Sequence, residues 1–175
     1  MNYFSFITQD WKINKNNSKG RIVLVLFRMA NFCSKKRGYF YLGLPYLIFY
    51  KFFVEWVLAI EIPFRTTIGK NFSLFHGQAL VIHENTVFGE NCVVRQSTTI
   101  GNKQLKNGYS SSPVIGNFVD IGSNVCIIGD IVIKDNVMIG CGTVVTKSVS
   151  GNCIVVGNPG VEKKRAVDKV MQTAI

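Results

Sequence analysis

Two histidines, seven positions apart, are the side chains of this 175-residue sequence best suited to proton transfer near neutral pH. His76 is followed by Gly77, and a glycine lets a ligand or another backbone segment approach closely. Glu61 precedes His76 by fifteen positions. An imidazole held by a carboxylate is a common general base for activating a hydroxyl group. We therefore interpret His76 and Glu61 as a candidate catalytic pair, and His83 as structural or merely exposed.

The other potential ligands and nucleophiles are scattered. The five cysteines never form a Cys-x-x-Cys pair, and a zinc site needs about three clustered histidine or cysteine ligands, so no metal site is expected. The cysteines are predicted to be free thiols in a reducing compartment, with Cys141 a weaker candidate for a covalent nucleophile. No cleavable signal peptide is visible, which indicates a cytoplasmic protein. Glycine motifs for phosphate loops or dinucleotides are absent from the sequence.

A six-residue repeat predicts the elements that position these side chains. Apolar residues recur every six positions over most of the second half of the chain. The cleanest run is Ile115, Ile121, Ile127, Ile133, Ile139 and Val145. A period of six fits neither an α-helix nor a single strand, whereas it fits a coil that closes after three hexads. Such repeats are typical of a parallel β-helix solenoid, predicted here for residues 61–160.

The repeat breaks twice, and a regular prism can carry chemistry at its breaks. Leu74 and Ile82 are eight positions apart, so the coil that contains His76 has two additional residues. Nine additional residues follow Ile100 before the next hexad begins. The polar segment 102–113 is therefore predicted to leave the prism as an arm that covers a site or reaches a neighbouring subunit.

Residues 1–60 form a region of different composition. They contain nine Lys or Arg and two Asp or Glu, a net charge of +7, whereas residues 61–160 contain seven and six. Because the repeat is nearly neutral, a nucleic-acid-binding face is not expected. The N-terminal region is predicted to be helical, with one helix over residues 21–33. The tail 161–175 is predicted to cap the far end of the solenoid as a short helix.

The aromatic segment 39–62 leaves three interpretations open. It is about as long as a membrane-spanning helix, but Lys51 and Glu55 disfavour spanning, since a charge at the bilayer centre costs roughly 2.5–3.5 kcal/mol. A helix that packs on the solenoid or on a neighbouring subunit is one alternative. The other is an interfacial helix that gives residues 35–60 a peripheral membrane contact, on the inner face of the membrane.

With these features the chain resembles the hexapeptide-repeat acyltransferases, and in particular their serine acetyltransferase-like branch. The resemblance is carried by the hexads, the segments 61–62, 75–77 and 81–82, the arm with Pro113, and the ending 156–159. Within the branch, the chain is most similar to the colanic-acid and capsular-polysaccharide O-acetyltransferases. The resemblance implies a left-handed parallel β-helix, a homotrimer, and acetyl-CoA bound in the cleft between adjacent prisms.

The resemblance also implies roles for single residues. His76 falls on the position of the catalytic histidine, and Glu61 on that of the acidic residue that supports it. The backbone N–H of Asn102, next to Gly101, is expected to meet the thioester oxygen. The remaining implied coenzyme contacts are the backbone groups of Ser123 and Cys141 and, for the phosphates, Lys163 and Lys164.

Two departures from the serine enzymes bear on the acceptor. Phe75 stands where they carry an aspartate, and Ser112 where they carry a second histidine, and both positions serve serine binding in that family. The expected acceptor is therefore a hydroxyl of a small-molecule or lipid-linked sugar in capsule or exopolysaccharide biosynthesis. The alternatives are a serine O-acetyltransferase with a rebuilt pocket and a non-catalytic trimeric scaffold.

Overall fold

A computed structural model describes residues 2–35 and 37–165. The N-terminal part is helical, and the prediction of a helix over residues 21–33 is confirmed. The helices are α1 (Tyr3–Ile7), α2 (Ser18–Ser34) and α3 (Arg37–Tyr50), which continues as a π-helical segment, Lys51–Val57. No helix within the described residues is long and apolar enough to cross a bilayer.

The repeat folds into short strands separated by tight corners. In chain order the strands are β1 (Ile60–Glu61), β2 (Thr67–Ile68), β3 (Ser73–Phe75), β4 (Leu80–Ile82), β5 (Val87–Phe88), β6 (Val93–Arg95), β7 (Thr99–Gly101), β8 (Gln104–Leu105), β9 (Gly108–Tyr109), β10 (Val114–Ile115), β11 (Asp120–Ile121), β12 (Cys126–Ile128), β13 (Val132–Ile133), β14 (Met138–Ile139), β15 (Val144–Val145), β16 (Cys153–Val156) and β17 (Val161–Lys164).

Three sheets form the faces of a prism. Face A is built from β1, β4, β7, β12 and β15, and face B from β2, β5, β10 and β13. Face C contains β3, β6, β11, β14, β16 and β17. All pairings between successive coils are parallel; in face A, for example, Ile127 is in register with Ile100 on one side and Val145 on the other. These side chains are buried, so the hexad spacing stacks one apolar residue per face in each coil.

The two interruptions of the repeat appear as local departures from the prism. After β7 the chain forms an exposed antiparallel hairpin of β8 and β9, in which Gln104 pairs with Tyr109. In the coil between β3 and β4, His76 and Gly77 both have left-handed backbone conformations, with φ of +63° and +75°. The regular coils thus provide the walls, and the irregular ones carry the residues of interest.

The C-terminal tail begins as a strand, so the prediction of a capping helix from Val161 is wrong for its first residues. Strand β17 pairs antiparallel with β16, and Lys164 lies opposite Cys153. The edge of β16 offers unpaired backbone groups at the end of face C, and a strand satisfies them where a helix could not. Residues 166–175, which the same prediction covered, lie outside the described residues.

At the other end, a buried ion pair binds the free edge of the first coil. Arg28 is 1% exposed, and its Nε donates to Asp10 Oδ2 across 2.7 Å. The same guanidinium donates to the carbonyls of Ile68 and Gly69, each across 2.6 Å. Asp10 in turn accepts the backbone N–H of Phe72 across 2.9 Å. Both charged groups therefore form hydrogen bonds with backbone groups of the first coil that have no neighbouring strand as a partner.

Neutral side chains of the N-terminal region complete this edge cap. Asn14 donates to the carbonyl of Phe72 and accepts the N–H of Leu74. The other bonds to the first coil are Asn17 to the Leu74 carbonyl, Asn31 to the carbonyls of Phe64 and Thr66, and Tyr50 Oη–H to the Ile62 carbonyl. On α2, Val23, Leu24, Phe27 and Ala30 are buried at the helical period. The helical region thus covers the end of the apolar core and also satisfies the hydrogen-bonding groups of the first coil.

We predict that Arg28→Ala lowers the free energy of unfolding by about 3–5 kcal/mol, because Asp10 would remain buried without its cation. The measurement is urea unfolding at one fixed protein concentration, since subunit association would make the apparent stability depend on concentration.

The matched control is Arg21→Ala on the same helix. Arg21 is partly exposed and donates to the Trp11 carbonyl, so its loss should change the unfolding free energy by no more than about 1 kcal/mol. Equal losses in the two variants would contradict the assignment of Arg28 as the centre of the edge cap.

Candidate active site

A cavity of about 660 Å³ opens along face A. Its volume is within the range of about 300–1,000 Å³ that is usual for small-molecule sites. Glu61 of β1 lines it, together with Gly101 and Asn102 at the end of β7. Three of the residues predicted for the site from sequence therefore share one cavity. The rest of its polar lining consists of Lys51, Glu55, Arg65, His83, Glu84 and Thr99.

Glu55 is the partly buried carboxylate of this cavity. Burial is the main cause that raises the pKa of Glu55; the Lys51 ammonium lowers it, and the Glu61 carboxylate raises it further. Glu55 and Glu61 thus face the same space. Carboxylates are acceptors only, so this side of the cavity can bind the hydroxyl hydrogens of a substrate.

His83 is held firmly at the edge of the cavity. Its Nδ1 accepts the backbone N–H of Asn85 across 3.2 Å and lies 2.8 Å from Ser112 Oγ. Its Nε2 lies 3.3 Å from Asn102 Nδ2. Sequence reasoning gave His83 no role here. The contact with Ser112 depends on how the arm returns to the prism. The spacing of residues in the sequence does not predict that path.

His76 does not line the cavity. It is exposed at the corner between β3 and β4, whereas His83 follows β4 at the opposite edge of face A. The extended chain from Ala79 to His83 covers about 13 Å. Within the part of the chain that the structure describes, neither a hydrogen bond nor an ion pair joins His76 to Glu61. Their catalytic pairing therefore stays a prediction.

A column of corners runs from His76 toward the C-terminal end of the solenoid. Backbone hydrogen bonds join each corner to the next: Ser97 N–H to the Gln78 carbonyl, Asn124 N–H to Gln96, and Gly142 N–H to Ser123. Ser123 and Cys141 thus belong to the same column as His76. The column is compatible with the predicted coenzyme contacts, which stay predictions.

This corner column has space and unsatisfied groups for an extended ligand. Gln96 Oε1 is buried without a hydrogen-bond partner among the described residues. A Cβ built on Gly142 would meet nothing within 4 Å. The side chain and backbone of Ser123 are the main causes that lower the pKa of the exposed Cys141 thiol. The column is therefore open at Gly142 and carries the exposed Cys141 thiol, so a pantetheine arm could lie along it.

Two cations lie on face C, away from the end of the column: Lys163 lies opposite Ile154 and Lys164 opposite Cys153, whereas Val161, opposite Val156, lies at the column's edge of the face. Lys163 and Lys164 are exposed on β17, the last strand of face C. From β3 to β17 the face spans five strand spacings, about 24 Å in all. Two to three residues of β17 separate the lysines from the corner column, so their contacts with the phosphates of the coenzyme stay a prediction.

The described residues contain no group of three or more His, Cys, Asp or Glu side chains placed to bind a metal ion. All five cysteines are free thiols. Burial raises the pKa of the Cys92 thiol to about 11, and burial also raises the pKa values of Cys126 and Cys153. Cys141 alone of these four thiols has a lowered pKa, and it lies in the corner column.

Comparisons with known proteins identify the class. No protein-family model matches the chain. A protein of Escherichia coli K12, named as the colanic acid biosynthesis acetyltransferase WcaB, is 37% identical over 153 residues, which are 85% of this chain and 93% of that protein. The serine acetyltransferase of Synechococcus elongatus is 35% identical over 102 residues, 58% of this chain and 41% of that enzyme.

A solved structure supports the same assignment of the fold. The serine acetyltransferase of Brucella abortus, in complex with coenzyme A, matches with a TM-score of 0.77 at 22% identity, over 93% of this chain and 68% of that chain. The predicted left-handed parallel β-helix is confirmed. The chain belongs to the hexapeptide-repeat acyltransferases. It is an acetyltransferase that uses acetyl-CoA, as the sequence predicted.

Proposed function

We propose that the protein transfers the acetyl group of acetyl-CoA to a hydroxyl group of a sugar or polysaccharide precursor. The observation that carries the proposal is the cavity on face A, whose polar lining combines carboxylates, an imidazole and an amide. Sugar hydroxyls are both donors and acceptors, so they suit such a mixed lining. Phe75 and Ser112, in place of the acid and the imidazole expected for serine binding, favour a sugar over serine. The name of the Escherichia coli relative points to the same class of acceptor.

In the proposed mechanism His76 acts as the general base. Its imidazole takes the proton of the acceptor hydroxyl, whose oxygen attacks the thioester carbonyl carbon. The backbone N–H of Asn102 donates to the oxyanion of the tetrahedral intermediate, and one such donor contributes about 2.7–4 kcal/mol. The C–S bond then breaks, and the imidazolium returns the proton to the departing thiolate. Glu61 orients the imidazole and stabilises its charged form.

The proposal includes a homotrimer, because His76 and Asn102 lie at opposite edges of face A within one chain. In the trimer, the His76 corner of one prism faces the Asn102 edge of the next, and the coenzyme occupies the cleft between them. Apolar side chains that point outward from the prism support an interface between copies. They include Phe75, Val81, Phe118, Val132, Met138 and Val161.

We predict that His76→Ala lowers kcat by about 10²–10⁴-fold, the usual contribution of a general base, and that Glu61→Gln lowers it by a smaller factor. The assay measures free thiol released from acetyl-CoA in the presence of methyl hexosides, UDP-hexoses or L-serine. Glu90→Gln is the control for Glu61→Gln, because Glu90 is a partly exposed carboxylate paired with Lys70 away from the cavity.

Each outcome of this assay decides between functions. Near-native turnover of His76→Ala would contradict general-base catalysis by this residue. Turnover with L-serine above that with every sugar would establish the serine enzyme instead. A wild-type protein that neither releases thiol nor binds acetyl-CoA would be a trimeric scaffold.

We further infer a peripheral contact with an anionic membrane through residues 35–60, on the cytoplasmic side. One side of this region packs on the solenoid, and the other exposes what we term the aromatic patch: Tyr41, Leu42, Ile48, Phe49, Phe52, Trp56 and Val57. Leu42 is 84% exposed and Trp56 71%. Contiguous exposed apolar surface marks an interaction site, and Lys35 and Lys51 add positive charge to this region. A membrane would present a lipid-linked sugar beside the cavity.

We predict that the double variant Phe52→Ser/Trp56→Ser reduces co-sedimentation with phosphatidylglycerol vesicles by at least about fivefold, because aromatic burial at the interface is lost. Tyr109→Ser is the matched control, since Tyr109 is 68% exposed on the arm. High salt should weaken the binding of the wild type. Unchanged vesicle binding would contradict the membrane contact, and a simultaneous loss of oligomeric mass would assign the patch to a subunit interface.

A further inference from the structure

The cavity on face A contains an imidazole that the proposed mechanism does not use. The protonation of His83 follows from its contacts. The backbone N–H of Asn85 points at Nδ1 across 3.2 Å, and a backbone N–H can only donate. Nδ1 is therefore unprotonated. The hydroxyl of Ser112, whose hydrogen can rotate, donates to the same nitrogen across 2.8 Å.

It follows that the neutral ring carries its proton on Nε2. The contact of this nitrogen is Asn102 Nδ2, at 3.3 Å. An amide NH₂ is itself a donor, so in this orientation of the Asn102 side chain the Nε2–H faces a donor and not an oxygen. His83 and Asn102 both line the cavity. A ligand oxygen in the cavity can accept this N–H, and without a ligand the Asn102 amide can turn its Oδ1 toward the ring.

The ring is also fixed in position. Ser112 is 6% exposed and lies where the arm rejoins the prism, directly before Pro113 and strand β10. Its hydroxyl and the backbone N–H of Asn85 both hold Nδ1, and Asn102 contacts Nε2 on the other side of the ring. The direction of the Nε2–H is thus set by the backbone and by the base of the arm, without help from a ligand.

We propose that His83 binds the acceptor sugar, donating its Nε2–H to a hydroxyl or ring oxygen, with Ser112 as its positioning residue. This inference rests on the proposed function. The carboxylates of Glu61 and Glu84 on the same cavity supply acceptors for the hydroxyl hydrogens of the sugar. The site therefore offers donors and acceptors together, which matches a polyhydroxylated ring. Asn102 lies beside His83, so the bound acceptor is held next to the proposed oxyanion donor.

The test is steady-state kinetics of His83→Ala, His83→Gln and Ser112→Ala with the methyl hexoside that the wild type acetylates best. Loss of one hydrogen bond to the substrate should raise the KM for the hexoside by about tenfold in His83→Ala. Its kcat should change by less than about threefold, and the KM for acetyl-CoA should not change, because His83 is not the general base. His83→Gln keeps an N–H donor and should recover most of the affinity. Ser112→Ala leaves the imidazole in place but removes the hydrogen bond that orients it. Its KM for the hexoside should therefore lie between those of the wild type and His83→Ala.

Spectroscopy tests the tautomer independently of activity. Because the chain has two histidines, the variant His76→Asn leaves His83 as the source of the remaining imidazole signals. In this variant, long-range ¹H–¹⁵N correlation should show that His83 is the Nε2–H tautomer. When Ser112→Ala is added, the signals should shift toward the other tautomer or toward an average of the two. A protonated Nδ1 in the neutral ring of the otherwise native protein would overturn the assignment.

The outcomes separate this inference from the function on which it rests. If the wild type acetylates a hexoside and His83→Ala keeps the same KM for it, the role of His83 is wrong and the proposed function stands. If His83→Gln is as impaired as His83→Ala, the N–H donor is not what His83 supplies. If the wild type acetylates none of the sugars, the proposed function fails, and the role of His83 fails with it.

Discussion

The β-helix depends on the hydrogen bonding of its first coil, since every later coil pairs with the one before it. The edge cap centred on Arg28 and Asp10 satisfies the backbone at the points where no strand is available. Asn14 and Asn17 bind the strand that ends one residue before His76. The same polar network that closes the solenoid therefore also fixes the coil of the proposed general base.

Function is concentrated where the six-residue period fails. Regular coils place one apolar side chain per face inside and leave short corners outside, which gives a rigid wall with little chemical variety. The two additional residues around His76 give two consecutive left-handed residues, where regular corners such as those at Asn124 and Asn136 have one, and an exposed imidazole. The longer interruption carries Asn102 at its start and Ser112 at its end, and the return of the chain brings Ser112 against His83. The first break thus places His76 at one edge of face A, and the second places Asn102 and Ser112 at the opposite edge.

The sequence was sufficient for the fold because each hexad is a local signal repeated many times. Glu61, Gly101 and Asn102, to which the sequence assigned catalytic and coenzyme-binding roles, line one cavity on face A, and those roles stay predictions. Contacts that depend on an irregular path of the backbone could not be predicted from the sequence. The interpretation of His83 missed its contact with Ser112, which the path of the arm sets. The helix predicted from Val161 was wrong because this segment pairs with the free edge of the preceding strand, β16.

The central claim is that two chains complete each active site. The most direct measurement is the activity of mixed trimers formed from His76→Ala chains and Asn102→Pro chains, the latter lacking the backbone N–H proposed for the oxyanion. Each variant alone should be nearly inactive. If sites are shared between neighbours, random mixing restores both intact groups at about a quarter of the sites, and about that fraction of wild-type turnover should return. Mixtures as inactive as either parent would contradict the account.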